Sequence, residues 1–206
     1  MRLSIGKKLS LGFLILILVV AVVNLVSIFG TNVIKDHWEQ SEEWEALQSS
    51  LQQREIEHLH WVNQLQTHLV QESVEGFSLE LDPSRCNLGQ WLASAEFQRM
   101  LEQYPSLAEE FDRLISSHVQ LHSSAQSIKS LLERGDVPGA GQVFRTVTAP
   151  SLAEIRSVLA QVRGELSRDV RRLGEDVRRL ISAITQQVIM VGAAGIIISI
   201  ASAAVV

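Results

Sequence analysis

The chain has 206 residues, of which 46% are hydrophobic but only 5% aromatic, a composition that suits long aliphatic helices rather than sheets. A formal net charge of -5 at neutral pH, with no basic patch interleaved with aromatics, argues against a nucleic-acid binder. One cysteine, Cys86, rules out an internal disulfide and leaves that thiol for packing, redox chemistry or a metal.

In chain order, residues 1–10 form a short basic segment with Arg2, Lys7 and Lys8. Residues 11–29 follow without a charge, a run of 19, long enough to cross a bilayer core. The run exceeds the apolar region of a secretory signal, and no small-residue cleavage site follows it. Residues 11–30 are therefore read as an uncleaved transmembrane helix. The positive-inside rule then holds the N-terminus in the cytoplasm, since Lys35, Asp36, Glu39, Glu42, Glu43 and Glu45 beyond the span are mostly acidic.

From Trp44 the residues Leu47, Leu51, Arg54, His58, Trp61, Leu65 and His68 recur in steps of three and four, the stripe by which a helix packs on other helices. His58 lies on that inward seam, with His60 as its rival. A loop around residues 73–81 leads to Asp82-Pro83-Ser84-Arg85, an N-cap followed by proline at the first helical position. A second helix is expected from there to about Gln103, with Cys86 in or near its first turn, where the helix dipole and Arg85 favour thiolate. Gly89 lets that backbone approach a neighbour closely.

Pro105-Ser106 opens a third helix that ends at Gly135, with a seam of Leu107, Phe111, Leu114, His118, Leu121, Ala125, Ile128 and Leu132. His122 sits one turn beyond His118 on the same side. Two histidines so spaced can share a metal; a third from an antiparallel neighbour and a thiolate from a helix start complete a four-coordinate shell. A short helix at about 138–146 precedes Ala149-Pro150-Ser151, which opens the last helix. Its seam runs from Ile155 to Ile184 with one four-four stutter at Leu166 to Val170. Its arginines, among them Arg163, Arg168, Arg171, Arg172, Arg178 and Arg179, form a solvated or dimer-flanking face. Residues 188–206 are again uncharged and rich in small residues such as Gly192 and Gly195, which favour close helix packing in lipid.

Taken singly, a buried histidine is usually a hydrogen-bonded core residue and a lone cysteine a small hydrophobe. Three histidines on inward seams together with the one thiol carry more weight. Trp61 and Trp91 are read as core aromatics that shield the neighbourhood from water, and His37 and His68 as structural or exposed. Enzyme chemistry is not expected. No His-Glu-x-x-His run is present, and Glu55-x-x-His58 is half of a di-iron pattern whose second half is missing.

The set His58-x-x-Trp61, Cys86-x-Leu88-Gly89-x-Trp91 and His118-x-x-x-His122 resembles the signature of the chemoreceptor zinc-binding domain over roughly residues 50–165. The resemblance implies zinc held by His58, Cys86, His118 and His122 in an antiparallel four-helix bundle, and a setting in bacterial chemoreceptors or diguanylate cyclases, where zinc occupancy or oxidation of the cysteine changes signalling. The expected organisation is a cytoplasmic N-terminus (1–10), a first span (11–30), an all-α sensor of four helices (31–187) and a second span (188–206). The resulting expectation is the sensing half of a methyl-accepting chemotaxis protein in the bacterial inner membrane. It is a homodimer with a periplasmic sensor, and its cytoplasmic signalling partners act through a region beyond Val206. Two facts pull the sensor toward the cytoplasm: Arg171, Arg172, Arg178 and Arg179 precede the second span, and domains of this family stand more often on that side. Alternatives are a small-molecule receptor whose zinc is purely structural, and the sensor of a membrane cyclase or kinase.

Overall fold

The structure, a computed structural model, describes residues 5–204, and all its regular elements are helical. Arg2 of the basic segment and the last two residues of the second apolar run lie outside the described residues. Helix α1 spans Ile5–Val70, α2 Asn87–Leu92, α3 Ala95–Gln103, α4 Ala108–Glu133, α5 Val137–Val143 and α6 Ala149–Ala204. A 3-10 turn at Pro105–Leu107 leads into α4, and a π turn at Phe144–Thr148 joins α5 to α6.

The chain punctuates these helices by recognisable chemistry. After α1, Glu72 takes a positive φ of 52° and turns the backbone into the loop. Helix α4 ends in a Schellman motif: the Asp136 N–H donates to the Leu131 carbonyl at 2.9 Å, the Gly135 N–H donates to Leu132 at 3.0 Å, and Gly135 has φ 75°. The Asp136 carboxylate then caps α5 by accepting from the Gly139 N–H at 3.0 Å.

Two expectations are corrected here. The single second helix from Pro83 to Gln103 is two short helices. The Asp82 carboxylate accepts from the Ser84 N–H at 2.9 Å and hydroxyl at 2.7 Å, so it closes a local turn instead of capping a helix. Ser94 then ends α2 and restarts the chain as N-cap of α3, its hydroxyl accepting from the Phe97 N–H. The helix expected at 138–146 is likewise shorter: α5 passes through the π turn directly into α6. Pro150 has no N–H for the preceding turn, and the wider π geometry lies immediately before it.

The described chain divides into two compact units, Met1–Trp44 taken with Arg168–Val206, and Glu45–Ser167. In the first, the terminal stretches of α1 and α6 lie side by side. A Cβ on Gly30 would stand 2.8 Å from Ile184 Cδ1, at the tip of a side chain that can give, and one on Gly195 would stand 3.5 Å from Val19, an ordinary contact. Phe13, Ile17, Ile28 and Ile197 are exposed on the outside. Two helical stretches, Gly12–Val70 and Val137–Ile198, contain windows long and apolar enough to cross a membrane, 0% and 6% buried.

The second unit holds the core in two clusters. Leu51, Val62, Leu88, Trp91, Phe97, Phe111, Leu114, Leu121, Ile155, Leu159 and Leu166 form the larger one. Leu65, Ala125, Ile128, Leu132 and Ala140 form the smaller, covered by Val74, Phe77, Leu79 and Leu81 of the loop. Their seams on α1 and α4 are those expected from the spacing. Along the helices His58 and His118 stand among residues of the larger cluster, between Leu51 and Val62 and between Leu114 and Leu121, while His122 falls between Leu121 of the larger cluster and Ala125 of the smaller.

Leu121, fully buried beside both α4 histidines, should be sensitive to truncation. Leu121→Ala is expected to lower stability by about 2–5 kcal/mol, measured by urea unfolding.

Candidate metal centre

Each donor is aimed by a different local device. The His58 Nδ1–H donates to the Arg54 carbonyl one turn earlier at 2.8 Å. A carbonyl can only accept, so this bond fixes the tautomer and leaves the Nε2 lone pair free, directed at Cys86 Sγ 3.8 Å away. His122 is held the same way from the loop: its Nδ1–H donates to the Glu80 carbonyl at 3.1 Å. The Trp61 indole N–H donates to that same carbonyl at 3.1 Å, and the Trp61 ring lies 4.9 Å from the His122 ring. Glu80 thus ties α1, α4 and the loop together with one main-chain oxygen.

Cys86 is the N-cap of α2, next to its first turn as expected, with its sulfur accepting from the Gly89 N–H at 3.3 Å. A Cβ on Gly89 would fall 1.8 Å from the Pro83 carbonyl oxygen. Only glycine lets the 82–86 turn lie against α2 and set the sulfur 3.1 Å from His118 Nε2. Arg85 does not assist the thiolate; it pairs with Glu80 at 3.3 Å on the surface. Burial instead pushes the Cys86 thiol up, against the hydrogen bonds from the α2 backbone.

The four ligand atoms of His58, Cys86, His118 and His122 all lie within 4.8 Å of one another. A tetrahedral zinc with bonds of about 2.0–2.3 Å separates its donors by roughly 3.3–3.8 Å, close to the Cys86 distances. The imidazoles are buried, at 3%, 2% and 1% exposure, and the His122 Nε2 is a buried atom without a hydrogen-bond partner. An orphaned lone pair in a dry pocket is destabilising by itself, and a cation at the centre removes that penalty. Burial lowers the pKa of all three histidines. His118 falls to about 3 through burial and then through the neighbouring His58 and His122, so the set stays neutral and able to donate lone pairs.

The remaining sequence candidates separate cleanly. His60, the rival of His58, is exposed and not among the converging donors. His68 Nδ1 bonds the Ser73 carbonyl and its ring packs on Phe77. Glu55 turns away to Arg156 at 3.0 Å and Arg163 at 2.8 Å, which dissolves the half di-iron pattern and draws Arg163 from the solvated face into an ion pair between α1 and α6. The Arg54 and Glu80 carbonyls left no trace in the sequence, because every residue carries one.

This geometry defines a centre of three buried imidazoles and one half-buried thiol, held among helices and suited to zinc. Residues 58–129 match the family profile described as the chemoreceptor zinc-binding domain; all four converging residues fall in that stretch, and zinc is its metal. No curated protein and no solved structure matches the chain.

The lowered histidine pKa values have a direct consequence for the metal-free protein. In the unfolded chain these groups titrate near 6.5, whereas folded His118 titrates at about 3, so between those values the unfolded state binds more protons. Stability should therefore fall as pH drops through that window. Urea melts of metal-free protein at pH 7 and pH 5 should show the loss, and His118→Gln should reduce it; equal stability at both would contradict the burial of neutral imidazoles.

Proposed function

We propose that the chain is the zinc-binding sensor portion of a bacterial transmembrane chemoreceptor, with His58, Cys86, His118 and His122 as ligands of one zinc ion. The observation that carries this reading is the convergence of four donors, two with their tautomers fixed by main-chain carbonyls, inside the segment that matches the zinc-binding family. With α2 and α3 as the fourth leg beside α1, α4 and α6, the sensor is a four-helix bundle. Zinc there joins the α1, α4 and α2 elements through a closed shell, the coordination of a site that holds structure or reports occupancy rather than one that turns over substrate.

Membrane insertion rests on the two unburied apolar windows. Lys7 and Lys8 before the first, with the acidic stretch after it, orient the sensor toward the periplasm. Arg178 and Arg179 ahead of the second window favour a second reading, a cytoplasmic sensor. Helix α6 carries both core residues of the zinc unit and the second apolar window on one helix with no proline after Pro150, so a shift of α6 is the route for a signal to the membrane. A parallel homodimer with its output beyond Val206 completes this reading. Cys86 is the redox-tunable ligand: oxidation replaces a soft donor by a poorer one and frees α2 from the histidine helices.

Two measurements test it. Metal analysis of the purified chain should give one zinc per chain, with affinity lowered by orders of magnitude in Cys86→Ala and His118→Ala; unchanged affinity in either refutes the ligand set. After zinc removal, a membrane-impermeant thiol reagent should label Cys86 in cells whose outer membrane alone is permeable, whereas protection until the inner membrane is lysed places the sensor in the cytoplasm.

A further inference from the structure

The imidazoles of His58, His118 and His122 are 3%, 2% and 1% exposed, whereas Cys86 is half-buried. A metal ion that exchanges with water while the core stays folded therefore passes on the Cys86 side. A short segment, residues 80–87, carries Cys86 there, and its attachments can be named.

The segment is stiff by itself. The Glu80 carboxylate accepts from the Asp82 N–H at 3.0 Å and pairs with Arg85 at 3.3 Å, and the Asp82 carboxylate holds the Ser84 N–H and hydroxyl. Residues 80–85 are thus cross-linked by their own side chains and move as one piece. Two hydrogen bonds tie this piece to a single turn of α1, one on each side of Cys86. Ahead of it the Trp61 indole N–H donates to the Glu80 carbonyl at 3.1 Å, and behind it the Asn87 amide donates to the Glu57 carboxylate at 2.9 Å. His58, itself a donor of the centre, stands between Glu57 and Trp61 in that turn.

The two ties are unequal. The Asn87 bond is exposed, where water replaces a lost partner at little cost. The Trp61 bond is part-buried, and its ring packs on both apolar clusters and lies 4.9 Å from the His122 ring. The Glu80 oxygen uses its two lone pairs on Trp61 and on His122. One indole N–H therefore stands behind two donors of the shell: His122 through the shared oxygen, and Cys86 through the stiff segment that follows.

We propose that Trp61 is a positioning residue for metal retention: its indole N–H clasps the 80–87 segment over the centre, and the strength of that clasp sets how fast zinc leaves. This rests on the ligand set proposed above and concerns the release of the metal, not the identity of its ligands. Release then follows local opening of the segment, with α1 and α4 still packed.

The test follows zinc transfer from the loaded chain to a chromogenic chelator, beside amide hydrogen exchange read by mass spectrometry. Trp61→Phe keeps an aromatic ring and removes the N–H. It should still hold one zinc per chain but release it roughly three- to tenfold faster, the net effect of one hydrogen bond. Exchange of the amides of the 80–87 segment should quicken by the same factor, while that of α4 is unchanged. Asn87→Ala, which breaks the exposed tie, should speed release less than Trp61→Phe does. Unchanged release from zinc-loaded Trp61→Phe protein, α4 exchange that quickens as much as the segment's, or the reverse order of the two variants each overturns the proposal. If Trp61→Phe folds poorly, the native chain decides: in urea below its unfolding transition, release and segment exchange should rise together with α4 protected, and release that tracks α4 exchange contradicts the clasp. A native chain that binds no zinc overturns the ligand set and the clasp together, whereas native loading with release unmoved by Trp61→Phe overturns the clasp alone.

Discussion

Three buried imidazoles are packed against one another beside the half-buried Cys86 thiol, and the helices that carry the histidines pack with those rings neutral. His58, His118 and His122 have ring centroids 4.8–5.9 Å apart. Protonation of any one would place a charge in a dry pocket beside two others. Burial and mutual repulsion both favour the neutral form, which is also the form that donates lone pairs to a metal. For the imidazoles the condition for packing the core and the condition for holding zinc are thus the same, whereas Cys86, whose thiol burial keeps protonated, must lose its proton to become a ligand.

The surrounding backbone supplies direction. Arg54 and Glu80 contribute carbonyl oxygens that select one tautomer each for His58 and His122, and partners of this sort fix the ring orientation of a metal ligand. Trp61 shares the Glu80 oxygen and packs against both apolar clusters, so it couples the loop's position to core packing. Gly89 allows the close approach that makes Cys86 a cap. The sulfur occupies the N-cap role that serine or aspartate usually fills, and zinc would draw on a donor already turned toward the cluster.

Much of this was legible because helical period is a strong signal. The seams around His58 and His118 predicted both the long helices and the burial of their histidines, and Gly135 marked the end of α4 through the positive φ that glycine accommodates. The second helix misled because Asp82-Pro83 has the composition of a helix start, while the Asp82 side chain is captured by Ser84 two residues on. Ser94 as an internal cap was hidden in a segment whose composition reads as continuous helix. The thiol's environment was misjudged because Arg85 is adjacent in sequence but leans to Glu80 in space. Main-chain acceptors are properties of packing and have no signature in sequence.

Absorption fine structure at the zinc edge of the loaded chain bears most directly on the claim that these four side chains form one metal shell. The account predicts one sulfur at about 2.3 Å and three nitrogens at about 2.0–2.1 Å, with the sulfur shell lost in Cys86→Ser. A shell made only of nitrogen and oxygen in the native chain, or one with more than a single sulfur, would contradict it.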